Sequence, residues 1–207
     1  MVKVCLFDLD GVVLDTEPLY TLFWKKLDKR LRPNIENFEY IIKGLTLNQI
    51  YDKYFHGEED KQDKITSLLY EYERNMDFNY ITGFEVFIKE LKTKGISTAI
   101  VTSSNLEKMQ NVYNKCPEIK CYFNEILTSE DFSESKPSPD CYLKAAARFG
   151  VSPKECIVFE DSFNGLRSGL ASGARVIGLA TTNSIAEIKS YTKEVICNYD
   201  GFTLLDH

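Results

Sequence analysis

Short apolar runs that favour β-strands alternate with helical segments along most of this chain, and this alternation limits its possible folds more than any other feature. The runs predicted as strands lie near residues 2–7, 97–101, 125–128, 156–159, 175–179 and 194–197. Between them, helices are predicted near residues 84–94, 105–115, 142–149, 163–172 and 184–190. Strands that alternate with helices favour a parallel sheet with right-handed crossovers. We therefore predict an α/β fold with a doubly wound parallel sheet.

The stretch that follows the first predicted strand departs from this alternation, because only helical patterns occur in it. Apolar residues recur at helical spacing from Leu19 to Leu31, and Pro33 is expected to end this first helix. Three more helical stretches are predicted near residues 35–43, 47–55 and 59–76. The sequence therefore predicts an all-helical insertion between the first strand and the rest of the sheet.

This insertion predicts two domains. Residues 1–14 and 80–207 would form the α/β core domain, and residues 15–79 a small helical cap domain over the carboxyl edge of the sheet. Linkers near residues 14–17 and 77–82 would let the cap move as a body and close over a substrate.

Charge and composition exclude several classes of function. The 207 residues carry a net charge of −6, and the isoelectric point is near 5.1. Since general nucleic-acid binding needs a basic face, we predict no nucleic-acid partner. The sequence shows no N-terminal signal and no apolar run long enough to span a bilayer, which predicts a cytoplasmic protein with no membrane partner. No feature demands a dimer, and we expect a monomer.

The cysteines and histidines give little support to metal or catalytic sites of their own. The six cysteines are scattered, at positions 5, 116, 121, 141, 156 and 197, without a Cys-x-x-Cys pair. Cys5 and Cys156 lie in strand-like apolar runs, where cysteine behaves as a small hydrophobic residue, so we expect reduced thiols. With only His56 and His207 available, zinc ligation and histidine-based triads are poorly supported.

Two carboxylates stand at the end of the first predicted strand, in Asp8-Leu9-Asp10-Gly11-Val12. Because side chains alternate along a strand, Asp8 and Asp10 leave it on the same side, and Gly11 lets the chain turn beyond them. Two like charges so close repel each other unless a cation or a shared proton intervenes. The pair favours a magnesium site at the carboxyl end of a strand, where open α/β sheets place their ligands. For this string alone, an Asp-Gly turn with solvated acids is the alternative.

Two later segments offer groups that suit a phosphate. Thr102-Ser103 follows a predicted strand, and hydroxyls and free amides at such a turn can hold phosphate oxygens. Serine is also a routine helix cap, so this segment alone is weak evidence. Lys136-Pro137 holds a lysine in an extended turn, where its ammonium could neutralise a carboxylate and a phosphate together. An isolated Lys-Pro would instead indicate a solvated surface lysine.

A second acidic segment, Glu160-Asp161-Ser162, repeats the design of the first, since an apolar strand again ends in acids. Both strands can deliver carboxylates to one side of the sheet, where further oxygen ligands would complete a magnesium site with open positions. Taken together, the order and spacing of the four segments resemble the haloacid dehalogenase superfamily of phosphotransferases, over essentially the whole chain. The extended start, Asp15-Thr16-Glu17-Pro18, is similar to the β-phosphoglucomutase-like branch and its sugar-phosphate phosphatases.

The resemblance implies a Rossmann-like core with a helical cap and a magnesium-dependent phosphatase that acts on a small phosphorylated metabolite, such as a sugar phosphate. Asp8 would attack phosphorus to form an aspartyl-phosphate, and Asp10 would protonate the leaving oxygen and later take a proton from water. The oxygens implied as ligands of Mg²⁺ belong to Asp8, Asp10 (through its carbonyl) and Asp161, with Glu160 in or next to that shell. Lys136 would balance charge, and Thr102 with the Ser103 amide would hold phosphate oxygens.

The resemblance also implies that the cap decides the substrate, and here alternatives stay open. Mutases of this branch carry a histidine where this sequence has Tyr20, so a phosphatase is favoured over a β-phosphoglucomutase that interconverts hexose 1- and 6-phosphates. A non-catalytic regulatory protein on the same scaffold is opposed by the presence of all four motifs. The substrate contacts implied in the cap are Thr16, Tyr20, Lys43 and Gly44, whereas Trp24 is interpreted mainly as a residue of the cap's own core.

Overall fold

The computed structural model describes residues 2–204, and its centre is a six-stranded parallel sheet. The strands are β1 (Val4–Phe7), β2 (Ser97–Val101), β3 (Glu125–Leu127), β4 (Cys156–Glu160), β5 (Arg175–Leu179) and β6 (Val195–Ile196). They lie in the order β3-β2-β1-β4-β5-β6, and every neighbouring pair is parallel. The predicted α/β class with a parallel sheet is therefore confirmed. Strand order reverses beside β1, and such a switch point opens a crevice at the carboxyl edge of a sheet.

Ten α-helices accompany the sheet within the described residues. They are α1 (Glu17–Lys26), α2 (Phe38–Ile41), α3 (Leu47–Tyr54), α4 (Glu59–Asn75), α5 (Phe84–Thr93), α6 (Leu106–Lys115), α7 (Ile119–Tyr122), α8 (Asp140–Arg148), α9 (Phe163–Ser172) and α10 (Ile185–Ile188). Helices α1 to α4 all lie between β1 and β2 in the chain, as the sequence predicts. Short 3-10 turns occupy Ser129–Asp131 and Pro153–Glu155.

Both faces of the central strands are buried, which is why these runs are almost continuously apolar. Alternate residues of β1 belong to two separate cores: Cys5 and Phe7 pack on one face of the sheet, and Val4 and Leu6 on the other. Phe7 stacks on Phe159 of β4, with ring centroids 4.6 Å apart. Two packed layers thus hold β1 and β4 in place, so the residues that follow each strand leave the sheet from fixed positions.

Helices α1 to α4 surround an apolar cluster of their own, which includes the buried Trp24. The first helix is shorter than predicted: α1 ends at Lys26, and Leu27 is already extended, with ψ 139°. The reason is local, because the Asp28 carboxylate accepts from the Arg30 backbone N–H at 2.9 Å and from its guanidinium. Such an aspartate turn competes with the helix. Leu31 nevertheless packs against the apolar cluster, so this residue contributes to the core although it lies outside the helix.

The two segments that connect the helical insertion to the sheet pair with each other. The Asp15 backbone N–H donates to the Asn79 carbonyl at 2.8 Å, and Ile81 donates to Val13 at 3.0 Å. The boundaries of the cap domain and its movement stay predictions.

All six cysteines are free thiols, as predicted. His207 lies outside the described residues. Among residues 2–204, no helix is both long enough and apolar enough to cross a bilayer.

Candidate active site

The four predicted motifs meet at the carboxyl edge of β1, β2 and β4, beneath helices α1 to α4. A cavity of about 340 Å³ lies between this edge and the helices. The predicted site residues that line it are Asp8, Asp10, Thr102, Ser103, Lys136 and Asp161 from the sheet edge, and Tyr20, Lys43 and Gly44 from the helical insertion. Glu160 and Thr16 are fully buried and do not line it.

Lys136 is the centre of the charge network at the sheet edge. The residue is 6% exposed, and its ammonium donates to Asp8 Oδ1 at 2.7 Å, to Glu160 Oε1 at 2.6 Å and to the Val101 carbonyl at 3.1 Å. All three protons of the ammonium are thereby used. Burial alone would lower the pKa of Lys136, but the charges of Asp8 and Glu160 raise it well above its usual value. Lys136 is therefore a fixed cation that joins two acidic motifs.

Glu160 has both of its carboxylate oxygens engaged. Oε1 accepts from Lys136 and, at 2.7 Å, from the buried Tyr142 hydroxyl. Oε2 accepts from the Asp161 backbone N–H at 3.2 Å. Gly165 of α9 allows this arrangement, because a Cβ at that position would lie 1.9 Å from the Glu160 carboxyl carbon. Glu160 thus holds Lys136 and the start of the acidic loop in place, which favours a position next to a metal's ligand shell.

The partly buried carboxylate of Asp8 and the buried carboxylate of Asp161 have chemistry that fits a divalent cation. Oxygens of Asp8, Glu160 and Asp161 lie within 4.8 Å of one another. Burial, opposed by Lys136 and aided by Glu160, raises the pKa of Asp8 to about 7. Burial and the charges of Glu17, Glu160 and Asp8 raise the pKa of Asp161 well above its usual value. A bound cation relieves such crowding of negative charge, and hard oxygen ligands are those that magnesium prefers.

A loop after β5 donates hydrogen bonds to Asp161. The Thr182 hydroxyl donates to Asp161 Oδ2, and the Asn183 amide donates to the Asp161 carbonyl at 2.9 Å. Gly11 lies against the same carboxylate, with φ +71°, so no side chain fits between the two acidic motifs. Sequence reasoning did not single out Thr182 or Asn183, since no acidic or basic motif marks that loop.

The carboxylate of Asp10 is held by a different set of donors. Thr16 donates to Oδ1 at 2.5 Å, and Lys108 and Ser104 donate to Oδ2 at 2.5 and 3.2 Å. Burial alone would raise the pKa of Asp10, but the charge and hydrogen bond of Lys108, with those of Thr16 and Ser104, lower it. Thr16 therefore orients Asp10, and its predicted contact with substrate stays a prediction.

Lys108 on α6 contacts the predicted site, and sequence reasoning did not single it out. Its side chain is 6% exposed, and its ammonium lies 4.7 Å from the centroid of the Tyr20 ring. The Tyr20 hydroxyl in turn donates to Glu73 Oε1 of α4 at 2.8 Å. The only signal in the sequence is indirect: Asn105 caps α6 by accepting from the Lys108 N–H at 2.9 Å. Since helical side chains lean toward the N-terminus, a residue in that first turn can reach back to the sheet edge.

The remaining predicted residues lie around the cavity. The Thr102 hydroxyl is buried and accepts from the Ser104 backbone N–H at 3.0 Å, in the turn that follows β2. The Gly44 carbonyl accepts from the Asn164 amide at 3.2 Å, and a Cβ on Gly44 would lie 2.8 Å from Ser162 Cβ. The Lys43–Gly44 loop therefore rests directly on the segment that follows Glu160 and Asp161.

Residues 5–179 match the model of the haloacid dehalogenase-like hydrolase family. Hexitol phosphatase A from Escherichia coli is 30% identical over 184 residues, which cover 86% of this chain and 82% of that protein. A protein named probable pseudouridine-5'-phosphatase from Drosophila melanogaster is 29% identical over 216 residues, which cover 96% and 90% of the two chains. The crystal structure of a family IA, variant 3 HAD hydrolase from Entamoeba histolytica is similar with a TM-score of 0.84 at 29% identity, covering 99% and 96%.

Proposed function

This chain belongs to the haloacid dehalogenase-like hydrolase family, and from that premise we propose that it is a magnesium-dependent phosphatase of a small phosphorylated metabolite. The observation that carries the proposal is the buried Lys136 bridge between Asp8 and Glu160, set beside Asp161 under a cavity. Buried carboxylates around one lysine cost stability unless a ligand completes them, so their presence favours catalysis over an idle scaffold. Relatives named as phosphatases support the same reaction class.

Asp8 is proposed as the nucleophile. Lys136 holds its Oδ1, and no described residue donates a hydrogen bond to its other carboxylate oxygen. That oxygen would attack the phosphorus of the ester while the bond from phosphorus to the leaving oxygen breaks, which leaves an aspartyl-phosphate. Thr102 and Ser103, across the same cavity, would hold the phosphate oxygens. Water would then release phosphate and restore the carboxylate.

Asp10 is proposed as the acid and base of the two steps. It would give a proton to the leaving oxygen and later take one from the water that attacks the aspartyl-phosphate. The donors on its carboxylate, Thr16, Ser104 and Lys108, favour the ionised form, which is the form that accepts a proton from water. The same donors fix the direction of its carboxylate.

Magnesium would be held by Asp8, Asp161 and the carbonyl of Asp10, with Glu160 next to them. When bound, the ion supplies positive charge to the phosphoryl group and to the crowded carboxylates. Lys136 would share that task, since it already contacts Asp8 and Glu160.

A sugar phosphate or a related ester is proposed as the substrate. The two relatives are named for a hexitol and for pseudouridine 5'-phosphate, and both names describe polyhydroxylated esters. Tyr20 stands where mutases of this branch have a histidine, and its hydroxyl already donates to Glu73. Burial and the charges of Asp10 and Glu73 raise the pKa of Tyr20 well above its usual value. A hydroxyl that stays protonated is unsuited to proton shuttling, which favours a phosphatase.

The test follows phosphate release from a panel of sugar, polyol and nucleoside phosphates, with Asp8→Asn as the blank. We expect release from one or a few esters that depends on Asp8, is lost on chelation with EDTA and returns with magnesium. In parallel, β-glucose 1-phosphate with a bisphosphate primer is followed for conversion to glucose 6-phosphate. Isomerisation that outruns release would make the enzyme a mutase, and release unchanged in Asp8→Asn would remove the proposed nucleophile.

A further inference from the structure

The loop that follows β5 connects the two acidic segments of the sheet edge through its side chains. The Thr181 hydroxyl donates to the Gly11 carbonyl at 2.5 Å. The Thr182 hydroxyl donates to Asp161 Oδ2, and the Asn183 amide donates to the Asp161 carbonyl at 2.9 Å. An uncharged loop therefore holds Asp161 by both its main chain and its carboxylate, and it holds the turn after β1 as well.

The two carboxylate oxygens of Asp161 have different surroundings. A Cβ on Gly11 would overlap Oδ2 and would lie 2.9 Å from Thr182 Oγ1, so Oδ2 lies against both residues. By contrast, no described residue donates a hydrogen bond to Oδ1, and Asp161 lines the cavity. Asp161 thus has one oxygen held by the protein and one left for a ligand.

The neighbouring carboxylates are limited in the same way. Lys136 occupies Oδ1 of Asp8, and no described residue donates to the other oxygen of Asp8. Both oxygens of Glu160 already accept hydrogen bonds from the protein. The cluster formed by Asp8, Glu160 and Asp161 therefore offers one donor-free oxygen on Asp8 and one on Asp161.

So small a set of free carboxylate oxygens suits a small divalent cation. Mg²⁺ demands near-ideal octahedral geometry, keeps several waters and is usually held by one or two carboxylates with substrate phosphate. Ca²⁺ takes about six to eight oxygens in flexible geometry and accepts both oxygens of one carboxylate. A carboxylate that can present only one oxygen therefore discriminates against the larger ion.

We propose that Thr182 determines which divalent cation the site binds. By holding Oδ2 of Asp161, its hydroxyl restricts that carboxylate to a single ligand oxygen, which favours Mg²⁺ over Ca²⁺. The inference rests on the proposed function, because it takes Asp8 and Asp161 as ligands of the cation. Thr182 acts through Asp161, so it is a positioning residue and takes no part in phosphoryl transfer. Replacing a residue that orients a metal's ligand typically changes metal affinity about 10–100-fold.

The test measures the affinity for each metal without turnover. The melting temperature of the full chain is followed against the concentration of MgCl₂ or CaCl₂, since a cation that binds the folded form raises it by mass action. Asp161→Asn gives the contribution of binding elsewhere on the chain. We expect wild type to prefer Mg²⁺, and Thr182→Val to lower its preference over Ca²⁺ about tenfold or more, because Oδ2 becomes available to Ca²⁺. Thr182→Ser keeps the hydroxyl and should retain the wild-type ratio.

Thr181→Val is the matched control. It removes a hydroxyl from the adjacent, equally half-buried threonine, whose partner is the Gly11 carbonyl and not a carboxylate. The ratio of the two affinities should stay that of wild type. An unchanged ratio in Thr182→Val, an equal change in Thr181→Val, or equal weakening of both ions would each overturn the inference. If Thr182→Val does not fold, Thr182→Ala also removes the hydroxyl and carries the same expectation.

Failure of the proposed function shows differently. It appears as the absence of Asp8-dependent phosphate release from every ester, p-nitrophenyl phosphate included. If only the inference about Thr182 fails, magnesium-dependent release persists and the ratio of the two metal affinities does not respond to the Thr182 hydroxyl.

Discussion

Two buried lysines each bind one carboxylate of the pair that follows β1, but they differ in what else they contact. Lys136 and Lys108 are both 6% exposed. Lys136 joins Asp8 to Glu160, and both partners belong to the sheet edge. Lys108 binds Asp10 and lies under the Tyr20 ring of α1, in the helical insertion. The charge at Asp8, the proposed nucleophile, is therefore set within the sheet, whereas the surroundings of Asp10, the proposed acid and base, include the helices above it.

This difference indicates how the proposed cap would act if it moved. Displacing α1 together with the other helices of the insertion would move the Tyr20 ring away from Lys108. Lys108 would thereby lose its indirect connection, through the Tyr20 hydroxyl, to Glu73 of α4. The Gln49 amide of α3 donates to the Lys136 carbonyl at 2.9 Å, but no described residue of α1 to α4 forms a hydrogen bond with the Lys136 ammonium or the Asp8 carboxylate. The contact between these two charged groups would therefore persist. Opening and closing would then reorganise the proton-transfer side of the site while the nucleophile stays prepared.

The largest effect is expected from Lys136→Met. The variant leaves the buried Glu160 and the partly buried Asp8 without their cation, which should lower the free energy of unfolding by about 3–5 kcal/mol. It should also lower kcat by at least about 10²–10³-fold, because a fixed charge at the phosphoryl group is lost. Phosphate release and thermal denaturation measure the two effects. Lys144→Met, which removes a half-buried lysine of α8 that pairs with Asp140, is the control. Equal losses of kcat and of stability in the two variants would contradict the account.

The next effect in size is expected from Gly165→Ala, which acts on Lys136 only through Glu160. A Cβ at residue 165 would lie 1.9 Å from the Glu160 carboxyl carbon, so the carboxylate must move. Overpacking should cost about 1–3 kcal/mol of stability, and a displacement of about 1 Å near the site can cost about 100-fold in kcat.

Gly169→Ala on the same helix is its matched control. There the nearest neighbours of the new Cβ are side-chain carbons of Val158 and Val176, the closest at 3.0 Å. Stability should fall while kcat stays close to wild type. A loss of kcat as large as that of Gly165→Ala would mean that α9 packing, and not Glu160, controls the site.

Lys108→Met should have a smaller effect on kcat, about 10–100-fold, together with a changed pH profile. Lys108 lowers the pKa of Asp10, so its removal raises that pKa. Because the ionised carboxylate takes the proton from water, activity should then be lost at a higher pH as the solution is acidified. Measuring kcat from acid to neutral pH tests this shift. If the acid limb of the pH profile does not move, Lys108 has no effect on the pKa of Asp10 and serves only to pack against Tyr20.

The smallest effect is expected from Tyr20→Phe. The ring stays over Lys108, but the hydrogen bond to Glu73 is lost, which should cost about 0.5–1.5 kcal/mol of stability. The pH profile should match that of wild type, because the contact of Lys108 with Asp10 remains. A profile like that of Lys108→Met would show that the helical insertion controls Asp10 through the Tyr20 hydroxyl.

The same contrast separates what could be predicted from sequence from what could not. Asp8, Asp10, Glu160 and Asp161 stand directly after predicted strands, and a parallel sheet brings the carboxyl ends of its strands to one edge. Their meeting place was therefore predictable. Lys108 lies in the first turn of α6, whose sequence pattern is typical of an ordinary helix at the protein surface. Its contacts with Asp10 and Tyr20 depend on packing between elements that are distant in the chain, and a local sequence pattern does not predict such packing.

One prediction within the helical insertion was wrong for a related reason. Apolar spacing through Leu31 predicts a long first helix, yet the carboxylate of Asp28 stops it at Lys26 by bonding to Arg30. No sequence pattern indicates that the Thr16 hydroxyl donates to Asp10, and its predicted contact with substrate stays a prediction.

The most direct test of the central claim is to trap the phosphoryl group on the enzyme. A radiolabelled ester from the panel is mixed with enzyme and magnesium, quenched in acid within one turnover, and the protein is digested and mapped. We predict label on the peptide that carries Asp8, removable by hydroxylamine as expected of an acyl phosphate, and none in Asp8→Asn. Turnover of the same ester without any label on that peptide, or label on another residue, would contradict the account.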